Sequence, residues 1–265
     1  MKTIAIINQK GGVAKTTTTV NIAAILAAEH HKRVLVIDAD SQANATAFLL
    51  RGEQPADVNL AKVLRYDSEA TRLTAKEWVN MSIQDTALPG VDLIAGDESL
   101  MDLDLTKVEL GAASATILRD FLRDPGAQKH WDYCLIDCPP AFNAAAVAAL
   151  VAADEVIIPV KLDAFALQGM ANLTRQISNM RKINPRLRLG GLLPVMWYGS
   201  DQIKEAERQL RLYDLPVYPH IRRSPKVDDM TFAQRPLIQS SPKSGACQDY
   251  RSLVRRLVKG GADRG

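Results

Sequence analysis

The chain has 265 residues, 47% of them hydrophobic and 24% charged, with a formal net charge of +3 at neutral pH. These values are those of an ordinary globular protein, and they permit an acidic partner without requiring one. Three scattered cysteines exclude a disulfide framework and fit a reducing compartment. No run reaches the roughly 18–20 apolar residues of a membrane span, and the first apolar run is too short for a signal peptide. We therefore expect a cytoplasmic protein.

Short runs rich in isoleucine, valine and leucine alternate along the chain with longer helical patterns. The predicted strands are Lys2–Ile7, Arg33–Ile37, Val91–Ile94, Tyr133–Ile136, Glu155–Val160 and Leu187–Val195. The predicted helices are Thr16–Glu29, Ser99–Glu109, Ala113–Leu122, Ala144–Ala152, Leu167–Ile183, Ser200–Leu212 and Ala246–Lys259. Strands that barely alternate in polarity are typical of parallel strands buried on both sides. The pattern predicts an α/β fold in which helices cover both faces of a mostly parallel sheet.

Two segments interrupt this alternation. Arg51–Pro89 is polar and mixed, which favours small helices and loops inserted over an edge of the sheet. Tyr218–Ser244 is rich in proline, arginine and aspartate and predicts an irregular segment before the last helix. We interpret both as embellishments, and expect residues 1–265 to form a single domain.

The strongest chemical signal is a glycine-containing loop between the first strand and the first helix. Its residues are Gly11, Gly12, Val13, Ala14, Lys15, Thr16 and Thr17. A loop that leads from a strand into a helix N-terminus directs backbone N–H groups at one point, and the helix dipole favours an anion there. Lys15 would supply a positive charge to the β and γ phosphates of a nucleotide, and the Thr16 hydroxyl could bind Mg²⁺. The sequence therefore predicts a nucleotide-binding P-loop.

Carboxylates follow two of the predicted strands. Asp38 and Asp40 lie at the end of the second strand, and Asp137 ends the strand that begins at Tyr133. The carboxyl ends of strands line the ligand crevice of an open α/β sheet, so we expect these three side chains near the P-loop. A carboxylate in the position of Asp137 can hold magnesium, usually through water.

The segment Lys10–Thr17 resembles the deviant Walker A motif, KGGxGK[ST]T, of the ParA and MinD ATPases. The resemblance implies that Lys10 is the family's signature lysine, which reaches across an ATP-sandwich dimer to the phosphates held by the other subunit. It also implies that Asp40 orients or activates the attacking water, and that Asp38 supports it and the magnesium shell. Ala14 stands where the family usually has glycine, and we expect its methyl group to be tolerated only at a negative φ.

The resemblance extends over most of the chain. It includes Val34–Gln42, Leu135–Pro140, Ala153–Val160, Phe165–Gly169, Arg235–Ile238 and Gly245–Ala246 followed by Tyr250. It implies a weakly active ATPase in which Mg·ATP drives homodimerisation and non-specific DNA binding. It also implies a ParB-like centromere-binding partner that stimulates hydrolysis and releases the DNA. By this resemblance we expect a nucleoid-associated protein without the N-terminal DNA-reading domain of larger relatives.

The DNA-binding surface is less clearly marked. The loop Met196–Ser200 lacks the arginine that the family often carries after that strand. The candidates for phosphate contacts are basic residues outside the ATP site: Arg222, Arg223, Lys226, Arg251 and Arg255, with Arg256 and Lys259 on the same last helix. A few such residues suffice for salt-sensitive binding that ignores sequence. For each of them the alternative is a solvated basic surface.

Three other functions stay open. A MinD-like ATPase on a membrane is one, because Tyr250–Lys259 is basic and partly amphipathic. The apolar residues of this segment equally suit a helix packed on the sheet, which we favour.

A metabolic relative is another, either an amidoligase or the nitrogenase iron protein. Cys134 and Cys138 lie within one strand segment, where packing explains them better than a bridging iron–sulfur cluster. A non-catalytic nucleotide-dependent scaffold is the third, if Ala14 or the missing arginine of the loop Met196–Ser200 impairs hydrolysis.

Overall fold

A computed structural model describes residues 1–103, 112–163, 166–212 and 215–260, with side chains described except at 112–114 and 166–171. Within these residues one seven-stranded sheet has the order β3-β4-β2-β5-β1-β6-β7. The strands are β1 Lys2–Ile6, β2 Val34–Asp38, β3 Ile83–Asp85, β4 Val91–Ile94, β5 Tyr133–Asp137, β6 Glu155–Lys161 and β7 Arg188–Val195. All neighbouring pairs are parallel except the edge pair β3–β4. The mostly parallel α/β sheet expected from the sequence is confirmed.

Helices lie on both faces of this sheet. Their bounds are α1 Lys15–His30, α2 Asn44–Leu50, α3 Leu60–Leu64, α4 Ser68–Thr71, α5 Ala75–Asn80, α6 Ala112–Leu122, α7 Pro125–His130, α8 Ala144–Ala152, α9 Ala166–Met180, α10 Asp201–Arg211, α11 Pro225–Ala233, α12 Leu237–Ser240 and α13 Gly245–Lys259. One core cluster joins the sheet to α1, α2 and α11–α13, and the other joins it to α3 and α5–α10.

Strand β1 shows why its sequence hardly alternates. Ile4 and Ile6 point into the core beneath α1 and α13, while Ala5 and the following Ile7 point into the opposite core beneath α8. Because successive side chains enter opposite faces, a strand covered on both sides must be apolar at every position. Burying both faces leaves only the strand ends for polar chemistry.

The structure corrects the expected elements in several places. The segment 218–244 contains α11 and α12, and α11 begins with a Ser224 cap followed by Pro225 at the first helical position. A serine cap followed by proline is a known start signal of a helix, but the surrounding polar residues made the helix hard to predict. The short elements α2, α7 and β3 were not predicted because none carries a full apolar period. Of the predicted helix Ser99–Glu109, a 3₁₀ turn over Glu98–Asp102 is present, and 104–109 lie outside the described residues.

The strand order brings the functional segments together. Strands β2, β5 and β1 are adjacent, and in the parallel register Asp38 of β2 pairs with Asp137 of β5, which also pairs with Ile6 of β1. The carboxyl ends of all three strands therefore meet at one edge of the sheet. The P-loop leaves β1 at the same edge and enters α1 at Lys15.

Candidate functional site

The P-loop reaches α1 through two left-handed residues. Gly12 has φ +67°, and Ala14 has φ 60° and ψ 33° at the N-cap of α1. No side chain caps this helix end. The first backbone N–H groups of the helix consequently face outward without a side-chain acceptor, which is the arrangement that binds an anion.

The expectation of a negative φ at Ala14 is wrong. The loop needs a left-handed residue to turn from Val13 into the helix, and alanine adopts that conformation here in place of glycine. A Cβ in the left-handed region costs about 1–2 kcal/mol because it crowds the following carbonyl. The loop therefore holds local strain at the uncapped start of α1, as functional loops often do.

Replacing Ala14 with glycine should relieve this strain. We expect Ala14→Gly to stabilise the protein by about 0.5–1 kcal/mol, since the relief exceeds the extra entropy that glycine gives the unfolded chain. Urea unfolding measures it. His31→Gly is the matched control, because His31 is left-handed at the other end of α1. Both variants should gain stability, and an unchanged or lower stability in Ala14→Gly would contradict the strain.

Lys15 is the first residue of α1 and is 8% exposed. In the described part of the chain no carboxylate lies within ion-pair distance of its ammonium group. A buried lysine without an anionic partner is unfavourable. Its position at a helix N-terminus means that a bound phosphate would supply the missing negative charge.

The carboxylates predicted to gather do so. Asp38 and Asp137 are completely buried and Asp40 is 7% exposed. Thr16 Oγ1 donates to Asp137 Oδ2 at 2.6 Å, and Thr19 Oγ1 donates to Asp137 Oδ1 at 3.2 Å. The P-loop helix is thus joined directly to the end of β5.

Asp38 is held from the opposite side. Thr46 donates to its Oδ2 through both the backbone N–H, at 2.7 Å, and the hydroxyl, at 2.8 Å. The backbone N–H of Asp40 donates to Asp38 Oδ1 at 3.2 Å. These contacts fix the loop that carries Asp40, and the role that the resemblance implies for Asp38 in supporting the attacking water stays a prediction. The role of Asp38 in the magnesium shell stays a prediction too.

Burial and mutual repulsion raise the pKa values of two of these acids. Burial raises the pKa of Asp137 to about 8, with the charge of Asp38 raising it further and the Thr16 hydrogen bond opposing the shift. Burial also raises the pKa of Asp38 to about 6, opposed by the hydrogen bonds from Thr46. Carboxylates that repel one another in a buried site favour a cation between or beside them.

Thr16 and Asp137 fit a magnesium ion that is shared with a nucleotide. No group of three or more His, Cys, Asp or Glu side chains in the described ranges is placed to hold a metal. A hydroxyl and one carboxylate are nevertheless sufficient protein ligands for Mg²⁺, which keeps several waters and binds phosphate oxygens. The donor set therefore suits Mg·ATP better than a metal bound by the protein alone.

Lys10 forms an ion pair with a residue outside the P-loop. Its ammonium Nζ lies 2.5 Å from Asp163 Oδ2, just after β6, and the lysine side chain is 42% exposed. The ion pair holds Lys10 at the rim of the site. Lys10 and Lys15 are thus placed differently, since one is exposed and paired and the other is buried and unpaired.

The sequence analysis missed a cavity of about 260 Å³ beside the P-loop. Its lining residues include Ala14, Thr17, Tyr198, Arg223 and Asp228. It combines a half-exposed aromatic side chain with one acid, Asp228, and three basic residues, Lys161, Arg222 and Arg223. The only sequence signal was the placement of Tyr198 just after β7, at the carboxyl end of a parallel strand.

Three of the five candidate DNA contacts already have partners. Arg222 binds Asp249 through two nitrogens, at 2.7 and 2.8 Å. Lys226 pairs with Asp229 at 2.9 Å, and Arg251 with Glu29 at 2.6 Å. Arg223 and Arg255 are exposed without an ion-pair partner in the described part of the chain. Pairing lowers the value of the first three for phosphate binding, because each contact would require breaking an existing one.

The last helix packs on the sheet, as we favoured. Ala246, Cys247, Tyr250, Leu253, Val254 and Leu257 of α13 are buried. The Tyr250 hydroxyl lies 3.2 Å from the hydroxyl of Thr18 on α1. The apolar face of α13 is therefore occupied within the protein. Among the described residues no helix has the length and apolar character needed to cross a membrane.

The three cysteines are free and buried. Burial raises the pKa of the Cys134 and Cys138 thiols well above the ordinary value. A protonated, inaccessible thiol neither binds iron nor acts as a nucleophile. Their contacts agree with packing.

Comparison with known proteins gives a consistent result. A family model described as an AAA domain matches residues 1–189. The chromosome partitioning protein ParA of Caulobacter vibrioides is 34% identical over 270 residues, covering 100% of this chain and 96% of that protein. The chromosome-partitioning ATPase Soj of Thermus thermophilus is 34% identical and covers 97% of this chain and 96% of its own length.

A solved structure adds a view of a bound relative. Cobyrinic acid a,c-diamide synthase from Mycobacterium smegmatis, with bound ATP analogue and magnesium, superposes with a TM-score of 0.77 at 28% identity. The match covers 98% of this chain and 95% of that one. The fold is therefore shared with a protein whose structure holds an ATP analogue and magnesium.

Proposed function

The chain belongs to the ParA family of P-loop ATPases, and we propose that it uses a cycle of Mg·ATP binding and hydrolysis to position DNA. In this cycle ATP closes a homodimer that holds DNA without sequence preference. A ParB-like partner stimulates hydrolysis, which releases the DNA. Two relatives named for chromosome partitioning support this reading.

The observation that carries the nucleotide site is the buried, unpaired Lys15 at an uncapped helix end. The β and γ phosphates of ATP would meet its ammonium group and the first backbone N–H groups of α1. Thr16 and Asp137 would hold Mg²⁺, which neutralises phosphate charge when bound. The adjoining cavity beside Thr17 and Tyr198 has the position to receive the nucleoside.

Hydrolysis in this proposal depends on Asp40. The residue is nearly buried, its loop is held by Asp38, and its Oδ1 accepts a hydrogen bond from the backbone N–H of Gln42 at 3.0 Å. A carboxylate fixed at the strand edge can orient a water toward the γ-phosphate without holding the nucleotide itself.

The test is Asp40→Ala. We expect ATP binding within a few-fold of wild type and accumulation of the ATP-bound dimer. Turnover should fall by at least about 100-fold, the lower end of what a general base contributes. Phosphate release, nucleotide titration and size-exclusion chromatography measure the three quantities. Asp57→Ala, at an exposed aspartate before α3, provides the control for loss of one acidic charge.

Two outcomes would reject the assignment. Normal turnover in Asp40→Ala would remove this residue from the reaction. Loss of ATP binding together with turnover would place Asp40 in nucleotide binding or folding instead.

The alternatives receive less support. A glutamine-hydrolysing amide synthase needs an accessible nucleophile, and all three cysteines of the sequence are buried. A membrane-cycling ATPase of the MinD type would have to undock α13 from the core. Vesicle sedimentation against a DNA gel shift, each with and without ATP, distinguishes the membrane from the DNA function.

A further inference from the structure

A second charged region lies at the amino ends of the parallel strands, on the side of the sheet opposite to the P-loop. Two adjoining cavities of about 760 and 230 Å³ share Asp154 and Arg186 in their lining. We call them together the basal cleft, and the basic side chains that line it are Lys2, Arg123, Arg181, Arg186 and Arg188. Lys2 and Arg188 begin β1 and β7, so the cleft lies at the amino ends of parallel strands. The five residues of β1 separate it from the P-loop edge by on the order of 15 Å.

The acids of the basal cleft do not balance its bases. Its two carboxylates belong to Asp154 and Glu155. Glu155 pairs with Lys2 at 2.8 Å and accepts from the Tyr218 hydroxyl at 3.2 Å. Asp154 Oδ2 accepts from the backbone N–H of Thr3 at 2.9 Å. Four arginines therefore line the cleft without an ion pair to either acid, within the described residues.

Neutral groups position two of these arginines. Arg123 donates to Asn184 Oδ1 at 3.3 Å, and Asn184 is itself fixed by donating to the backbone oxygens of Leu150 and Ala153. Arg181 Nε donates to the backbone oxygen of Leu187 at 2.9 Å. Such contacts orient a guanidinium without forming an ion pair to it. Arg186 and Arg188 are exposed, and no ion-pair partner for them occurs in the described ranges.

The arginines also act on one another. Burial lowers the pKa of the Arg123 guanidinium, the positive charges of Arg186 and Arg119 lower it further, and the negative charges of Asp154 and Asp120 oppose the shift. The segment 181–188, which links α9 to β7, adds Lys182 and carries no acidic residue. A bound anion would relieve this repulsion, and guanidinium groups match phosphate oxygens in geometry.

We propose that the basal cleft binds the backbone phosphates of DNA through Arg123, Arg181, Arg186 and Arg188. This inference rests on the proposed function for the choice of DNA as the anion. It moves the DNA contact away from the paired Arg222, Lys226 and Arg251, and to the edge of the sheet that does not carry the P-loop. Nucleotide and DNA then occupy opposite edges of the same sheet and do not compete for one surface.

The experiment compares charge-reversed variants in a DNA-binding assay. Fluorescence anisotropy with a duplex of random sequence, in a slowly hydrolysed ATP analogue, gives the dissociation constant at several salt concentrations. We expect Arg186→Glu with Arg188→Glu to weaken binding by at least about 30-fold. The milder Arg186→Gln with Arg188→Gln should lower the slope of log K against log salt by roughly 1.8, about 0.9 per phosphate contact.

The matched control carries the same change of charge elsewhere. Lys204→Glu with Arg208→Glu alters two exposed bases of α10 that are paired within their own helix. This control should bind DNA within about threefold of wild type. Basal ATPase activity and circular dichroism should be unchanged in every variant, since none of these residues lines the P-loop.

Each outcome decides something. Wild-type affinity and salt slope in both cleft variants would overturn the basal cleft while leaving DNA positioning intact. Equal weakening in the control would attribute the effect to net charge and overturn it too. A wild-type protein that hydrolyses ATP but binds no duplex would remove the DNA part of the proposed function as well. Cleft-dependent binding to phosphatidylglycerol vesicles with no binding to duplex would assign the cleft to a membrane.

Discussion

Lys15→Ala should abolish useful ATP binding, with affinity lower by more than about 100-fold, or 2.7 kcal/mol. Lys15 is buried and forms no ion pair in the described part of the chain, although its charge acts on Asp137, so its ammonium group is available to the phosphates. The same fact predicts the behaviour of the nucleotide-free protein. Removing an unpaired buried charge relieves a desolvation cost, so Lys15→Ala should be at least as stable as wild type without nucleotide.

Thermal unfolding with and without Mg·ATP measures both effects. At a ligand concentration 100 times the dissociation constant, wild type gains about 2.7 kcal/mol. For a chain of this size that gain raises the melting temperature by roughly 5–10 °C. Lys15→Ala should show no such gain, whereas Lys32→Ala, which removes a partly exposed lysine after α1, should behave as wild type. A full thermal shift in Lys15→Ala would exclude Lys15 from the site.

Lys10→Ala should separate nucleotide binding from assembly. The mutant should bind ATP as a monomer, and lose ATP-dependent dimerisation, partner-stimulated hydrolysis and cooperative DNA binding together. The physical reason is that Lys10 lies at the exposed rim of its own site, while Lys15 and the helix end already face the phosphates. A second lysine has most effect when it contacts the nucleotide of another subunit. There it makes dimerisation depend on the γ-phosphate and stabilises the negative charge of the transition state.

The ion pair with Asp163 supplies the control. Asp163→Asn breaks the same contact but keeps the lysine. An exposed ion pair contributes only about 0.2–1 kcal/mol, so its loss should leave folding intact and dimerisation at least as strong as in wild type. Analytical ultracentrifugation with a slowly hydrolysed ATP analogue compares the two variants. Dimerisation of Lys10→Ala at the wild-type level would defeat the sandwich model, and a defect shared by both variants would make the contact structural.

Local patterns predicted the parts of this molecule that local chemistry determines. The order of strand, glycine loop, Lys15 and helix predicted the P-loop. The acids at the ends of two strands predicted that Asp38 and Asp137 would lie close to it. Ala14 shows the limit of such reasoning. The φ of Ala14 depends on the path that the loop must take between β1 and α1. Because alanine rarely adopts a positive φ, the residue type alone predicted the wrong sign.

Ion pairs between residues far apart in the sequence could not be predicted, for a different reason. Arg222 and Asp249 are 27 residues apart, and Arg251 and Glu29 are 222 residues apart. Counting bases along the sequence therefore selected residues whose charge is already neutralised in the fold. The basal cleft was not predicted because Arg181, Arg186 and Arg188 follow α9 at the amino end of a strand, away from the predicted ligand crevice, and Arg123 joins them only in the fold.

The hydrogen bond between Thr18 and Tyr250 has a consequence for the order in which the protein is made. It joins residues 232 positions apart, one on the helix that follows the P-loop and one on the last helix. During synthesis the chain emerges from its amino end, so α1 is exposed long before α13 exists to cover it. Contacts of such sequence separation form slowly. A nascent chain therefore exposes its P-loop before α13 exists, and we expect it to gain a settled nucleotide site only after α13 has been made.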